Sequence, residues 1–299
     1  MKKILITGKN GQVGWELQRS FARFGHITAI DQDDLDLTDS AKVREVVRDL
    51  HPDIIINPAA YTAVDKAESD SATATAVNAI APGILAEEAA KLGAVLVHYS
   101  TDYVFDGSKP SPYTEDDLPN PQSVYGRSKL AGENAVRMAG GKHLILRTSW
   151  VYGVHGGNFI KTILRLAKER SELRIVADQF GAPTWARDLA QTTASILALW
   201  QTKGWDDNLS GLYHLTAAGR TNWHQYAEEI VRLARVYDTE LAAKQLVIHP
   251  ITTHEYPVPA KRPVNSVLAN NKIADTFGIK LPAWQDSLAE CMRELSTNP

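Results

Sequence analysis

The chain has 299 residues, 44% hydrophobic and 22% charged, with a formal net charge of −3, enough for one large domain or two modest ones around a substantial core. So small a net charge gives no electrostatic reason to expect nucleic acid or an anionic membrane as the main partner. The single cysteine, Cys291, excludes an internal disulfide and a cysteine-built metal cage, which suits a reducing cytoplasm.

Met1-Lys2-Lys3 is basic, but the apolar run behind it stops at Thr7-Gly8, too short for a signal peptide. No later stretch is long enough to span a bilayer. Lys3 to Thr7 reads as a fully buried strand, a short β-branched run ended by Gly8. Gly8, Gly11 and Gly14 follow in a G-x-x-G-x-x-G spacing that also holds Asn10. The next pattern is helical, with Val13, Leu17 and Phe21 on one side and Gly25 closing it. A second strand, Ile27 to Ile30, ends at Asp31. Strand, glycine turn, helix, strand and terminal acid together read as a dinucleotide site. The glycines let the backbone approach a pyrophosphate, the helix N-terminus faces the anion, and Asp31 accepts from ribose hydroxyls. A carboxylate at position 31 also repels a 2′-phosphate, so NADH is favoured over NADPH, with Lys9 offsetting part of the repulsion.

The alternation continues with a helix over Asp39 to His51, N-capped by Thr38 and stopped by Pro52, then a strand from Asp53 to Asn57. That strand runs into Pro58-Ala59-Ala60-Tyr61, small residues against which a flat ring can lie. Asn78 to Leu92 is helical and Ala94 to Tyr99 is a strand that ends at Ser100-Thr101. Tyr125 opens another helix, and His143 to Arg147 is a fifth strand. This spacing implies an α/β fold, a doubly wound parallel sheet of the Rossmann type, with ligands at the carboxyl ends of the strands.

Beyond Trp150 the alternation loosens. Helices are expected over Asn158 to Glu169, Arg187 to Trp200, Trp223 to Val236 and Trp284 to Leu295, with short strands at Arg174 to Val176 and Leu212 to Leu215. Asp178 to Thr184 reads as an irregular loop, and the prolines at 257, 259 and 263 argue against regular structure from Tyr256 to Pro263. Residues 1–150 are thus expected to form the dinucleotide-binding domain. Residues 151–299 form mainly a smaller C-terminal α/β substrate domain, some elements of which can return to the main sheet.

Tyr125 and Lys129 stand four apart, on one face if the segment is helical. Such a pair alone is an ordinary helix-surface pair. Beside a dinucleotide site it becomes an acid and a cation, the ammonium drawing the phenol pKa down from near 10. Thr101 adds a hydroxyl at a strand end. This set resembles the short-chain dehydrogenase/reductase superfamily, and within its extended, nucleotide-sugar branch the dTDP-4-dehydrorhamnose reductases. The likeness is carried by Ile6 to Gly14, Ser100 to Phe105, Tyr125 to Lys129, Arg147 to Tyr152 and Asp178 to Thr184, spread over roughly the first two-thirds of the chain.

The resemblance implies a reductase using NADH or NADPH on the 4-keto precursor of dTDP-L-rhamnose. Tyr125 would be the general acid, Lys129 would hold the nicotinamide ribose, and Thr101 would fix the carbonyl. Gly11, Gln12 and Val13 would touch the pyrophosphate, Asp31 the adenosine ribose, and Asp36 and Leu37 the adenine. Ala60, Tyr61 and Thr62 would line the cofactor, with Asp102 and Trp150 on the sugar side. Dehydratases of this branch carry an Asp-Glu pair where Asp102-Tyr103 stands, and a phenol is a poor replacement for that base, so reduction is favoured over elimination. For the substrate diphosphate, Asn158 at a helix start and Lys261-Arg262 are the candidates. Some of these reductases hold magnesium between two subunits. Here Glu16 and Glu294 could serve, but Arg187 followed by Asp188 stands where a third glutamate is expected, and its cation competes with a metal-bridged homodimer. Two other readings stay open: an epimerase or dehydratase that retains NAD, and a non-catalytic dinucleotide-sensing subunit such as those that regulate methionine adenosyltransferase.

Overall fold

A computed structural model describes residues 1–297, so the last two residues of the expected second domain lie outside the described residues. The first half lays down β1 (Lys2–Ile6), α1 (Gln12–Phe21), β2 (Gly25–Ala29), α2 (Ser40–Leu50) and β3 (Ile54–Asn57). Two short helices, α3 (Val64–Ala67) and α4 (Ser71–Thr75), lead through a π turn (Ala76–Ile80) into α5 (Ala81–Leu92). Then come β4 (Val95–Thr101), α6 (Val124–Met138) and β5 (His143–Thr148). The second half holds β6 (Val151–Tyr152), α7 (Phe159–Glu169), β7 (Glu172–Val176), β8 (Phe180–Gly181), β9 (Thr184–Trp185) and α8 (Ala186–Thr202). It continues with β10 (Gly211–His214), β11 (Thr221–Asn222), α9 (Trp223–Tyr237), α10 (Thr239–Ala243), β12 (Val247–Ile251), α11 (Asn271–Phe277) and α12 (Trp284–Thr297).

Six strands form one sheet in the order β10-β5-β4-β3-β1-β2, every neighbour parallel. All residues of β3 and β4 are buried, as expected where helices cover both faces and the strand has no solvent side. One face packs Ile4, Ile6, Leu17, Phe21 and the α8 residues Leu189, Leu197 and Trp200; the other packs Leu5, Val43, Val47, Leu85 and Ile145. A third cluster, including Tyr152, Ile163, Trp185, Tyr226 and Leu288, belongs to the second half. Each fully buried large side chain contributes about 1.5–3 kcal/mol relative to exposure. The chain leaves β1 to one side for β2 and returns on the other for β3, so the strand order reverses between β1 and β3. Their carboxyl ends open a crevice there.

Several local expectations are corrected. Asp39, not Thr38, caps α2, its Oδ1 accepting from the Ala41 and Lys42 amides at 3.1 and 3.0 Å. Gly25 opens β2 rather than closing α1, which ends at Phe21. The expected helix from Asn78 starts as a π turn, because Pro82 has no N–H for the Asn78 carbonyl. Asp178 to Thr184 is not wholly irregular: Phe180–Gly181 pairs with β11, and Thr184–Trp185 with β6. Pairs of two residues are too short for a period to show in sequence. β12 was not expected because Pro250 interrupts it; in a two-stranded sheet with β7 it needs hydrogen bonds on one edge only.

Candidate active site

The glycine turn between β1 and α1 is built by close approach. A Cβ on Gly14 would fall 2.0 Å from the Gly8 carbonyl oxygen, so only glycine lets the first turn of α1 lie directly on the loop. Asp31, at the end of β2, accepts from the Asn10 and Gln32 amides at 2.8 Å each, fixing its carboxylate beside the turn. Lys9 is not free to offset that charge, since its Nζ pairs with Asp34 at 2.7 Å.

These residues wall a cleft of about 890 Å³ along the carboxyl edge of the sheet. Gly8, Asn10, Gly11, Gln12, Val13 and Gly14 line it, together with Asp31, Asp36, Leu37, Ala60, Tyr61 and Thr62. Tyr125 and Lys129 reach it from α6. The lining also includes residues not singled out from sequence, among them Lys66, Asp70, Gly156 and Gly157. The last two belong to a loop that docks on the glycine turn. His155 Nε2 lies 3.0 Å from the Asn10 carbonyl, and its ring stacks on Trp15 at 5.2 Å. Such long-range docking leaves no periodic trace in sequence.

Ser123 caps α6, its Oγ accepting from the Gly126 amide at 3.1 Å. A Cβ on Gly126 would lie 2.2 Å from the Tyr103 carbonyl oxygen, so only glycine lets this helix press against the segment after β4. That contact sets Tyr125 beside Thr101 and Tyr103, the Tyr103 and Tyr125 rings meeting edge to face at 5.6 Å. Tyr125 is half-buried and opens onto the cleft, while packing around its ring desolvates the phenol. Burial pushes its pKa above the ordinary tyrosine value, the Thr101 hydroxyl pulls it back, and Asp102 and Tyr103 push it further. The expected lowering by Lys129 is therefore overturned for the free chain. Lys129 instead donates to the Tyr99 carbonyl at 2.6 Å and lies 3.4 Å from His98 Nε2. Burial lowers Lys129 to about 8, with Glu133 acting in the opposite direction. The raised pKa makes the phenol a weaker acid that keeps its proton at neutral pH and can give it up to a stronger base, such as an alkoxide.

Thr101 donates to Asp102 Oδ1 at 2.9 Å and accepts from the Tyr103 amide at 3.1 Å. Asp102 is 2% exposed, and its Oδ2 has no hydrogen-bond partner. Burial raises its pKa from 3.8 to about 6. Between those values the folded state binds more proton than the unfolded state, so this group's contribution to stability falls as pH rises towards 6. Asp102→Asn is expected to gain about 2–3 kcal/mol over wild type at pH 8. The gain should vanish below about pH 4, which denaturant melts at the two pH values would measure.

The other sugar-side candidates have structural partners. Trp150 has φ +47° and stacks on Trp223 with centroids 3.6 Å apart. Asn158 is spent as a cap and brace, its Oδ1 accepting from the Lys161 amide and its Nδ2 donating to Gln12 Oε1 and the Gly153 carbonyl. Arg262 donates to the Tyr103 hydroxyl at 2.9 Å and pairs with Asp65 at 2.7 Å, pinning the proline-bearing segment over the cleft rim. Lys261 is exposed and reaches Gln122 at 3.4 Å. Glu16 and Glu294 both face Arg187, which donates to Glu294 Oε1 at 2.7 Å and to Glu16 at 3.3 Å, while Asp188 accepts from Ser287. Among the described residues no group of three or more His, Cys, Asp or Glu side chains could hold a metal ion, and no helix is long and apolar enough to cross a membrane.

The chain matches the family model described as RmlD substrate binding domain over residues 1–297. It is 51% identical to a dTDP-4-dehydrorhamnose reductase of Burkholderia thailandensis over 98% of this chain and 99% of that protein. It is 47% identical to one of Escherichia coli K12 over 98% of each. Among solved structures, a dTDP-4-dehydrorhamnose reductase of Bacillus anthracis in complex with NADP matches with TM-score 0.88 and 37% identity over 98% of this chain and 99% of that one. Another, from Clostridium acetobutylicum, matches with TM-score 0.89 and 41% identity over 98% and 99%.

Proposed function

The chain belongs to the RmlD substrate-binding-domain family of dTDP-4-dehydrorhamnose reductases, and from that membership we infer that it reduces the 4-keto group of dTDP-4-dehydro-L-rhamnose to give dTDP-L-rhamnose, a precursor of cell-surface polysaccharide. It is an NAD(P)H-dependent oxidoreductase acting on a nucleotide sugar. The observation that carries the site assignment is the meeting of a protonated, desolvated phenol with a dinucleotide-sized cleft at the sheet's switch point.

The residues fit a dinucleotide. The close-packed glycine turn lines the cleft at the start of α1, where a pyrophosphate would lie, and Asp31 presents a fixed carboxylate at the adenosine end. Gly11, Gln12 and Val13 would hold the pyrophosphate, Asp36 and Leu37 the adenine, and Lys129 the nicotinamide ribose. When bound, the reduced nicotinamide supplies hydride. The chain's part is to hold the ketone and deliver a proton: Thr101 orients the carbonyl oxygen and Tyr125 protonates it as the alkoxide develops. Tyr103 cannot take the place of an eliminating base, because burial raises its phenol pKa and Arg262 engages its oxygen.

The test is consumption of reduced nicotinamide on adding dTDP-4-dehydro-L-rhamnose, with the product identified; no turnover with either cofactor would withdraw the reading. Asp31→Ser removes the charge that opposes a 2′-phosphate. It is expected to move the ratio of kcat/KM for NADPH over NADH upward by about tenfold, measured with each cofactor in turn.

A further inference from the structure

Below the cleft, buried polar side chains link the ends of three parallel strands to α6. Thr7 Oγ1 donates to Asn57 Oδ1 at 2.6 Å, Asn57 Nδ2 lies 3.1 Å from His98 Nδ1, and His98 Nε2 lies 3.4 Å from Lys129 Nζ. Asn57 and His98 are 0% exposed and Lys129 2%. Thr7 Oγ1 accepts from the Ala59 amide at 3.4 Å and turns its own proton to Asn57 Oδ1, so the amide oxygen faces Thr7 and the amide nitrogen faces His98. An amide nitrogen only donates, which leaves Nδ1 as the bare acceptor. Burial and then the Lys129 charge pull the imidazole well below its usual pKa, so the ring is neutral and holds one proton. That proton sits on Nε2, aimed at Lys129. If Lys129 is an ammonium, two donors face each other. Only the amine can accept from Nε2–H.

We propose that His98 is a positioning residue for the reaction, a fixed N–H donor, oriented by Asn57 and Thr7, that opposes the ammonium form of Lys129 and favours the amine. The proposal rests on reading Lys129 as part of the reaction centre. Glu133, one turn further along α6, faces Lys129 and favours the charged form, and is itself held by Arg147 from β5 and Ser100 from β4. Tyr125, one turn earlier, is an uncharged phenol. The Tyr99 carbonyl can accept from either form of the lysine. His98 therefore acts with burial and against Glu133, and together they bring Lys129 into a range where it changes charge near neutral pH.

Nitrogen-15 NMR of the imidazole in the full-length wild-type protein reads the tautomer directly. The expected result is protonated Nε2 and bare Nδ1 across neutral pH; a proton on Nδ1 would overturn the proposal. In His98→Leu, the Lys129 pKa followed by NMR of labelled lysine should rise by about one unit, because the opposing donor is gone. The alkaline limb of the kcat/KM profile should move with it. An unchanged or lowered Lys129 pKa overturns the proposal, and if the variant does not fold, the wild-type tautomer decides. Neither NMR readout depends on turnover, so failure here is distinct from failure of the assigned reaction.

Discussion

Tyr125→Phe is expected to lower kcat by about 10²- to 10⁴-fold while leaving dinucleotide affinity and thermal stability close to wild type. The substitution removes one hydroxyl and keeps the ring that packs edge to face against Tyr103. The fold has little to lose, because burial already disfavours any charge on that oxygen. What disappears is the proton donor, and the developing alkoxide would have to find its proton in a cleft wall with few alternatives. A loss in kcat with little change in the cofactor Kd marks an interaction made only as charge develops. The assay is nicotinamide oxidation under saturating substrate, with the Kd followed by fluorescence. Full activity in this variant would remove Tyr125 from the mechanism. The same geometry fixes the alkaline side of the pH profile. The phenol is held protonated above its ordinary range, so of the Tyr125 and Lys129 pair it is Lys129 that titrates first, at about 8. The rate should therefore fall as pH rises through that value and the ammonium is lost.

The parts of this site that were legible in sequence are those whose chemistry is local. The glycine spacing, the acid at the end of β2 and the Tyr125/Lys129 spacing each lie within one strand-turn-helix unit, where periodicity and turn chemistry speak directly. The direction of the Tyr125 pKa was misread because charge spacing is visible in a sequence and desolvation is not. Asn158 stands at a helix N-terminus, where an anion is expected, but the helix uses the same amide as its cap and as a brace on Gln12. Arg262 looked like a free loop cation, whereas Asp65 and Tyr103, both distant in sequence, hold it. The docking of His155, Gly156 and Gly157 at the cleft arises from a loop folding back across 145 residues of chain, and no short window records that.

Breaking the buried pair beneath the site is expected to have the largest effect on stability. Arg147 donates through Nε and Nη2 to Glu133 Oε1 and Oε2 at 2.8 and 2.6 Å, the two side chains being 1% and 0% exposed. Ser100 adds a third donor at 2.6 Å, and the guanidinium lies 5.0 Å over the Phe105 ring. Arg147→Met would leave the carboxylate buried with Ser100 as its hydrogen-bond donor, at a cost of about 3–5 kcal/mol. That is a large fraction of the roughly 5–15 kcal/mol by which a folded protein is stable. Glu133→Leu should cost a similar amount by stranding the guanidinium. The double variant should regain most of the loss, because neither member of the pair is left buried without the other and the volumes stay close. Its activity should nonetheless stay low. The pair ties α6, which carries Tyr125 and Lys129, to the ends of β4 and β5, where Thr101 and Thr148 stand, and a shift of about 1 Å between acid and carbonyl can cost roughly 10²-fold in rate. Urea unfolding of the three variants beside their kcat values would separate the two effects. Single variants that each lose less than about 1 kcal/mol would show that the pair is solvated and does not hold the helix.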